Sequence, residues 1–189
     1  VMKYLNGTKT LGMCLSGSEA LQVTAYIDAS YGVHVTLGHG PVLCRSTKQK
    51  IVTKSSTEAE LVAVSDEINM AVWVRDFLTH QGHELGPVIL YQDNMSTIAL
   101  ILNGASTSQR TKHIKIRYFF MHERIAHGEI IVKHMPTERM LVDVLTKALQ
   151  AGLFRRLSRV LLNWLDDIRS GVCVGVCQAD DGDVIEFHP

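Results

Sequence analysis

The chain has 189 residues, 46% of them hydrophobic and 20% charged, a balance that suits one well-buried domain and excludes an intrinsically disordered chain. No apolar run reaches the roughly 18–20 residues a bilayer crossing needs and no signal-peptide pattern opens the sequence, so neither membrane insertion nor secretion is expected. The formal net charge of zero divides unevenly: residues 1–164 carry 18 basic against 13 acidic side chains (+5), and residues 165–189 carry Arg169 against six acids (−5).

Residues 1–20, beginning VMKYLNGTKTLG, read as a lead-in from an upstream domain, and Val1 itself fits a piece of a longer polypeptide. LQVTAYID predicts the first strand, with Val23, Ala25 and Ile27 on one face and Tyr26 and Asp28 on the other. In ASYGVHVTLGHG only Val35–Leu37 offers a very short strand, and PVLCRSTKQKIV supplies the next. Ser55 and Glu58 form a capping box ahead of Leu61, Val64, Ile68, Ala71 and Val72 at helical spacing. Gly82 and Gly86–Pro87 end that helix, VILYQD is a buried strand, and a short helix covers about Met95–Leu102. Ile114, Tyr118, Met121 and Ile125 mark an amphipathic helix stopped at Gly128, and EIIVKHM is the last strand. Pro136–Thr137 is expected to open a final helix through TERMLVDVLTKAL, trailed by LFRRLSRVLLNWL. The order predicts an α/β fold, a mixed sheet covered by helices.

Four acids stand at strand ends or near helix starts. Asp28 and Asp93 end strands, where aspartate is commonly a turn-former but where ligand sites of α/β sheets also gather. Asn94 is an equally good helix cap, which leaves Asp93 spare. Glu60 shares the core-facing stripe with Val64 and Ile68, so it must be neutralised, paired or bound to a cation. Asp143 falls in the second turn of the expected last helix, where the dipole alone favours an acid. Gathered without cations, the four would raise one another's pKa until some protonated. Two Mg²⁺ ions would balance them, since Mg²⁺ takes oxygen ligands.

The strings KSSTEAELVAVSD, VILYQDNMSTIAL, RTKHIKIRYFF and PTERMLVDVLTKAL resemble, in order and interval, the RNase H domain of copia-type LTR retrotransposon Pol polyproteins. VMKYLNGTKTLG resembles the stretch joining that domain to the reverse transcriptase. The resemblance covers residues 1 to about 164. It implies an RNase H-like fold, a mixed five-stranded sheet flanked by helices, over residues 21–164, after a connection at 1–20 and before an acidic tail at 165–189. It implies an endonuclease that cuts the RNA strand of RNA–DNA hybrids during reverse transcription, with Asp28, Glu60, Asp93 and Asp143 as catalytic and metal-binding residues for two Mg²⁺, Mn²⁺ being the substitute. Its partners would be the hybrid and the reverse transcriptase of the same polyprotein, in a cytoplasmic retrotransposon particle or the nucleus. Family members usually carry a longer insert, making a full hairpin, between the YIDASYGV-like strand and the LGHGPV-like turn, and here Val33–Leu37 jumps across it. The second strand is therefore expected to be truncated, which puts activity in question.

Asn94 and the basic segment Arg110, Lys112, His113, Lys115 and Arg117 are candidate contacts to phosphates and 2′-hydroxyls, as is the run Arg45, Lys48, Lys50, Lys54. His134, ending the last strand, is a candidate for protonation or product release. His122 and His127 are five apart, not the four that would share a zinc. Cys14 and Cys44 read as small core residues, and Cys173 with Cys177 lacks a second pair for zinc. Two other functions compete: a non-catalytic retrotransposon fragment that at most binds nucleic acid, and an integrase or transposase relative.

Overall fold

A computed structural model of the chain describes residues 21–29, 32–38, 40–47, 52–53, 55–103 and 112–163, together with positions 6, 9, 12 and 13. The lead-in as a unit, the acidic tail, Arg110 and the side chains of Lys112, His113 and Lys115 lie outside the described residues. The strands are β1 (Val23–Asp28), β2 (Gly32–Leu37), β3 (Pro41–Ser46), β4 (Val88–Gln92) and β5 (Ile130–His134). The helices are α1 (Ser56–His80), α2 (Met95–Asn103), α3 (Lys112–Ala126), α4 (Asp143–Thr146) and α5 (Ala151–Leu161), with a 3₁₀ turn at Thr137–Arg139.

The sheet runs β3-β2-β1-β4-β5. β1 pairs antiparallel with β2 and parallel with β4, and β5 continues in parallel. The element order predicts a mixed sheet covered by helices, and five strands are what the family resemblance implies. One face carries Val23, Ala25, Ile27, Val33, Val35, Val88 and Leu90 into a core shared with Leu61, Val64 and Ile68 of α1, Ile101 of α2, and Tyr118 and Met121 of α3. Gly32 and His34 alternate onto the opposite face, where α4 lies against β2 and β3. None of the described helices is long and apolar enough to cross a membrane.

The expected truncation of the second strand is wrong. β2 is six residues long, like β1 and β3. It pairs with β1 along its whole length, from Val23 opposite Leu37 to Asp28 opposite Gly32. On its other side it pairs with β3, with one irregularity between Val35 and Thr36. The β2–β3 connection is a tight turn. Gly38 takes φ +60, open to glycine without strain, and the Leu37 amide donates to the Gly40 carbonyl at 3.0 Å. His34 hid the strand, because a histidine in its middle breaks the apolar pattern. It is fully buried, and burial lowers its pKa to about 4, so it packs as a neutral ring. Its Nδ1 lies 3.0 Å from Cys44 Sγ. Cys44 is exposed rather than in the core.

Local signals hold well elsewhere. Ser55 caps α1 through its hydroxyl, which accepts from the Glu58 amide at 3.1 Å, and Gly82 and Gly128 take positive φ beyond α1 and α3. The long final helix does not form. After the 3₁₀ turn the chain makes the single turn α4, extends at Lys147 and restarts as α5. Met140, Leu141 and Val142 are all buried. The backbone is extended at Met140, with φ −72 and ψ 102, so the 3₁₀ turn and α4 do not join into one helix.

Candidate active site

The C-terminal ends of β1 and β4, both interior strands, meet at one edge of the sheet, with the start of α1 on one side and α4 on the other. Asp28 is the last residue of β1 and is 4% exposed. Glu60 lies in the first turns of α1 and is 7% exposed, because the same stripe carries Val64 and Ile68 inward. Asp93 follows β4 immediately. Asp143 opens α4, not the second turn of a longer helix, and is 3% exposed.

The four acids are coupled by charge through Asp28 and Asp93. Burial, then the negative charges of Asp28 and Asp93, raise the Glu60 pKa to about 7 against the hydrogen bonds it accepts from Gln92 and the Ala29 backbone. Asp143 is raised too, by burial and by Asp28 and Asp93, with the Lys147 ammonium opposing. Glu60 and Asp143, from opposite sides of the sheet edge, thus both feel Asp28 and Asp93. Among the described residues, however, no three His, Cys, Asp or Glu side chains are spaced to hold one metal ion as they stand.

Several residues that sequence reasoning passed over hold the acids in place. Gln92 is fully buried. Its Nε2 donates to Glu60 Oε2 at 3.1 Å, while its Oε1 accepts from the amides of Asp93 at 2.7 Å and Asn94 at 3.1 Å. One amide side chain therefore fixes a carboxylate on α1 and the backbone that carries Asp93. Its signal was the strand alternation, since Val88, Leu90 and Gln92 all point inward. Thr137 donates to Asp93 Oδ2 at 3.1 Å and Thr146 to Asp28 Oδ2 at 3.2 Å. Lys147 Nζ lies 2.8 Å from Asp143 Oδ1 and 3.6 Å from Asp28 Oδ1. Burial works to lower the Lys147 pKa, but Asp143, Asp28 and Asp93 outweigh it and the net shift is upward. Thr146 and Lys147 stand three and four residues after Asp143, the spacing that puts side chains on one helical face.

Gly32 sets how near α4 can come. A Cβ there would collide with the Thr146 and Val142 side chains, the latter at 2.6 Å. With a hydrogen instead, α4 lies on the start of β2 directly opposite Asp28.

The expected nucleic-acid contacts fare differently. Asn94 Oδ1 caps α2, accepting from the amides of Ser96 at 3.0 Å and Thr97 at 3.1 Å. Arg117 pairs with Asp66, tying α3 to α1. Arg45 pairs with Glu67, whose side chain is 3% exposed, at 2.9 Å. His134 ends β5 opposite Gln92 and is exposed.

No protein-family model matches the chain. It is 36% identical over 171 residues to the "Retrovirus-related Pol polyprotein from transposon RE2" of Arabidopsis thaliana, covering 84% of the chain and 12% of that protein. Against the polyprotein of transposon RE1 from the same plant the identity is 35% over 167 residues, 82% of the chain and 11% of the relative. Against that of transposon TNT 1-94 of Nicotiana tabacum it is 30% over 165 residues, 82% and 12%. The chain thus spans about an eighth of the length of these relatives.

Proposed function

We propose, from the premise that the chain belongs to the retrovirus-related Pol polyproteins of copia-type retrotransposons, that it is an RNase H-type endonuclease with an RNase H-like fold. Its substrate is the RNA strand of an RNA–DNA hybrid, met during reverse transcription beside the reverse transcriptase of the same polyprotein, in a cytoplasmic particle or the nucleus. The observation that carries the reading is the gathering of Asp28, Glu60, Asp93 and Asp143 at one sheet edge, with Glu60 pushed up to about 7 by burial and by the charges of Asp28 and Asp93.

The donor set suits Mg²⁺ or Mn²⁺, being all oxygen, and the excess of acid is what two divalent ions would neutralise. The four carboxylates are the residues that would hold them. Two ions supply an activated water and stabilise the leaving oxygen of a phosphodiester. The chain's own part is orientation. Gln92 keeps Glu60 turned toward Asp28 and holds the Asp93 backbone; Thr146 and Thr137 fix one oxygen each of Asp28 and Asp93. Arg110, Lys112, His113 and Lys115 contribute phosphate and 2′-hydroxyl contacts. Asn94 and Arg117 serve the scaffold first, through the α2 cap and the Asp66 pair.

The test is cleavage of an end-labelled RNA–DNA hybrid in Mg²⁺, with Asp93→Asn as control. Metal-dependent cutting well above the control supports the reading, and equal traces refute it. One observation favours a second reading, a fragment that at most binds nucleic acid: no three described carboxylates are spaced for a common ion. Salt-sensitive hybrid binding without cleavage is the outcome that would select it.

A further inference from the structure

Lys147 is the one described cation among these carboxylates. Its ammonium lies 2.8 Å from Asp143 Oδ1 and 3.6 Å from Asp28 Oδ1, between acids from two different elements. The Thr146 hydroxyl occupies the other oxygen of Asp28. Asp143 Oδ1 is buried, and the Lys147 ammonium meets it both as a close polar contact and as a charge. A buried carboxylate would be costly without a cation beside it. The Lys147 side chain is 38% exposed. Its ammonium reaches the acids from a half-open position, with a four-carbon stem that can swing outward.

We infer that Lys147 is a built-in counter-cation of the carboxylate cluster, one that a divalent ion must displace from between Asp28 and Asp143. This rests on the metal-binding reading above and adds to it. The chain's lysine stabilises the ion-free site and competes with the ion for the same oxygens. The contacts an ammonium makes are longer than the about 2.0–2.1 Å of Mg²⁺ from its ligands, so a divalent ion would draw Asp28 and Asp143 in more closely than Lys147 does. Displacement frees two oxygens at once and lets the acids close. The ammonium then lies beside the site, facing solvent, where a phosphate of a bound strand would meet it.

The experiment measures metal affinity, not cleavage. The full chain, Lys147→Met and Lys147→Arg are titrated with Mn²⁺ by electron paramagnetic resonance and with Mg²⁺ by calorimetry. Lys147→Met is expected to bind at least about tenfold more tightly than the unaltered chain, because the ion no longer competes with the ammonium for the oxygens of Asp28 and Asp143, an effect discounted for the exposure of Lys147. It is also expected to melt several degrees lower in chelator and to regain that loss in Mg²⁺. Lys147→Arg keeps the charge and should stay near the unaltered affinity. Equal or weaker binding by Lys147→Met overturns the inference while leaving the metal reading standing. No binding by any of the three overturns both. Should Lys147→Met not fold, the unaltered protein still decides the matter. After reductive ¹³C-methylation, which preserves charge, the Lys147 resonance identified with Lys147→Arg must shift as Mg²⁺ saturates the site, and a resonance that stays put overturns the inference.

Discussion

Replacing Glu60 by glutamine should make the chain more stable at neutral pH and leave it unchanged in acid. The Glu60 carboxyl ionises near 4.5 when unfolded and at about 7 in the folded chain. Between those values the folded state holds a proton that the unfolded state has released. Its stabilising share is complete below pH 4.5 and disappears as pH rises through 7. A difference of about 2.5 units corresponds to about 3 kcal/mol. Glutamine cannot ionise, and it can still accept the bond from Gln92 that Glu60 Oε2 accepts at 3.1 Å. Urea melts of both proteins in chelator, from pH 4.5 to 8, should give curves that coincide within about 0.5 kcal/mol in acid and diverge to about 2–3 kcal/mol at pH 8. Asp143 titrates in both proteins and cancels from the difference. Parallel curves would mean that Glu60 ionises normally and does not sit in a cluster of acids.

Three further outcomes follow from the packing. Gln92→Ala strips Glu60 of its donor and the Asp93 and Asn94 amides of their acceptor, and should cost about 2–4 kcal/mol in urea melts; a loss below 1 kcal/mol would show those groups rehydrate freely. Gly32→Ala must push α4 off β2, at about 1–3 kcal/mol, and should weaken Mn²⁺ binding at the same time, because Asp143 and Lys147 move with α4; unchanged affinity would uncouple the two. Arg45→Ala orphans Glu67, 3% exposed at its side chain, and with Arg45 itself half in solvent the loss should be about 1–2 kcal/mol, larger at pH 8 than at pH 5; no pH trend would mean Glu67 is already protonated.

Local chemistry was legible wherever a short stretch decides its own shape. The Ser55 cap, the Asn94 cap, the core stripe of α1 and the two glycine stops all follow from neighbours a few residues apart. What failed depends on distant partners. β2 looked too short because its centre is His34, whose tolerance comes from burial under the sheet's second face and a contact with Cys44. The final helix looked continuous because its pattern suits a helix, whereas the backbone is extended at Met140 and again at Lys147, with Met140, Leu141 and Val142 buried. At the site, the acids stood out as expensive residues, but their supports did not. Gln92 and Thr146 are unremarkable letters until the sheet register and Gly32 bring them to Glu60 and Asp28. The spacing of the carboxylates around Lys147 could not be read from any of these strings.

The hydrogen bond from Thr146 to Asp28 closes a loop of 118 residues. Contacts of such separation form late, since the ordering of the intervening chain must come first. The β1–β2 hairpin and α1 can assemble while Asp28 is still uncovered, and the acidic edge is completed only when α4 arrives from far downstream. During synthesis the ribosome must therefore have released residue 147 before the cluster has its counter-charge. A truncation ahead of α4 would leave three acids at the sheet edge without Lys147, their hydrogen bonds from Gln92 and Thr137 supplying no positive charge.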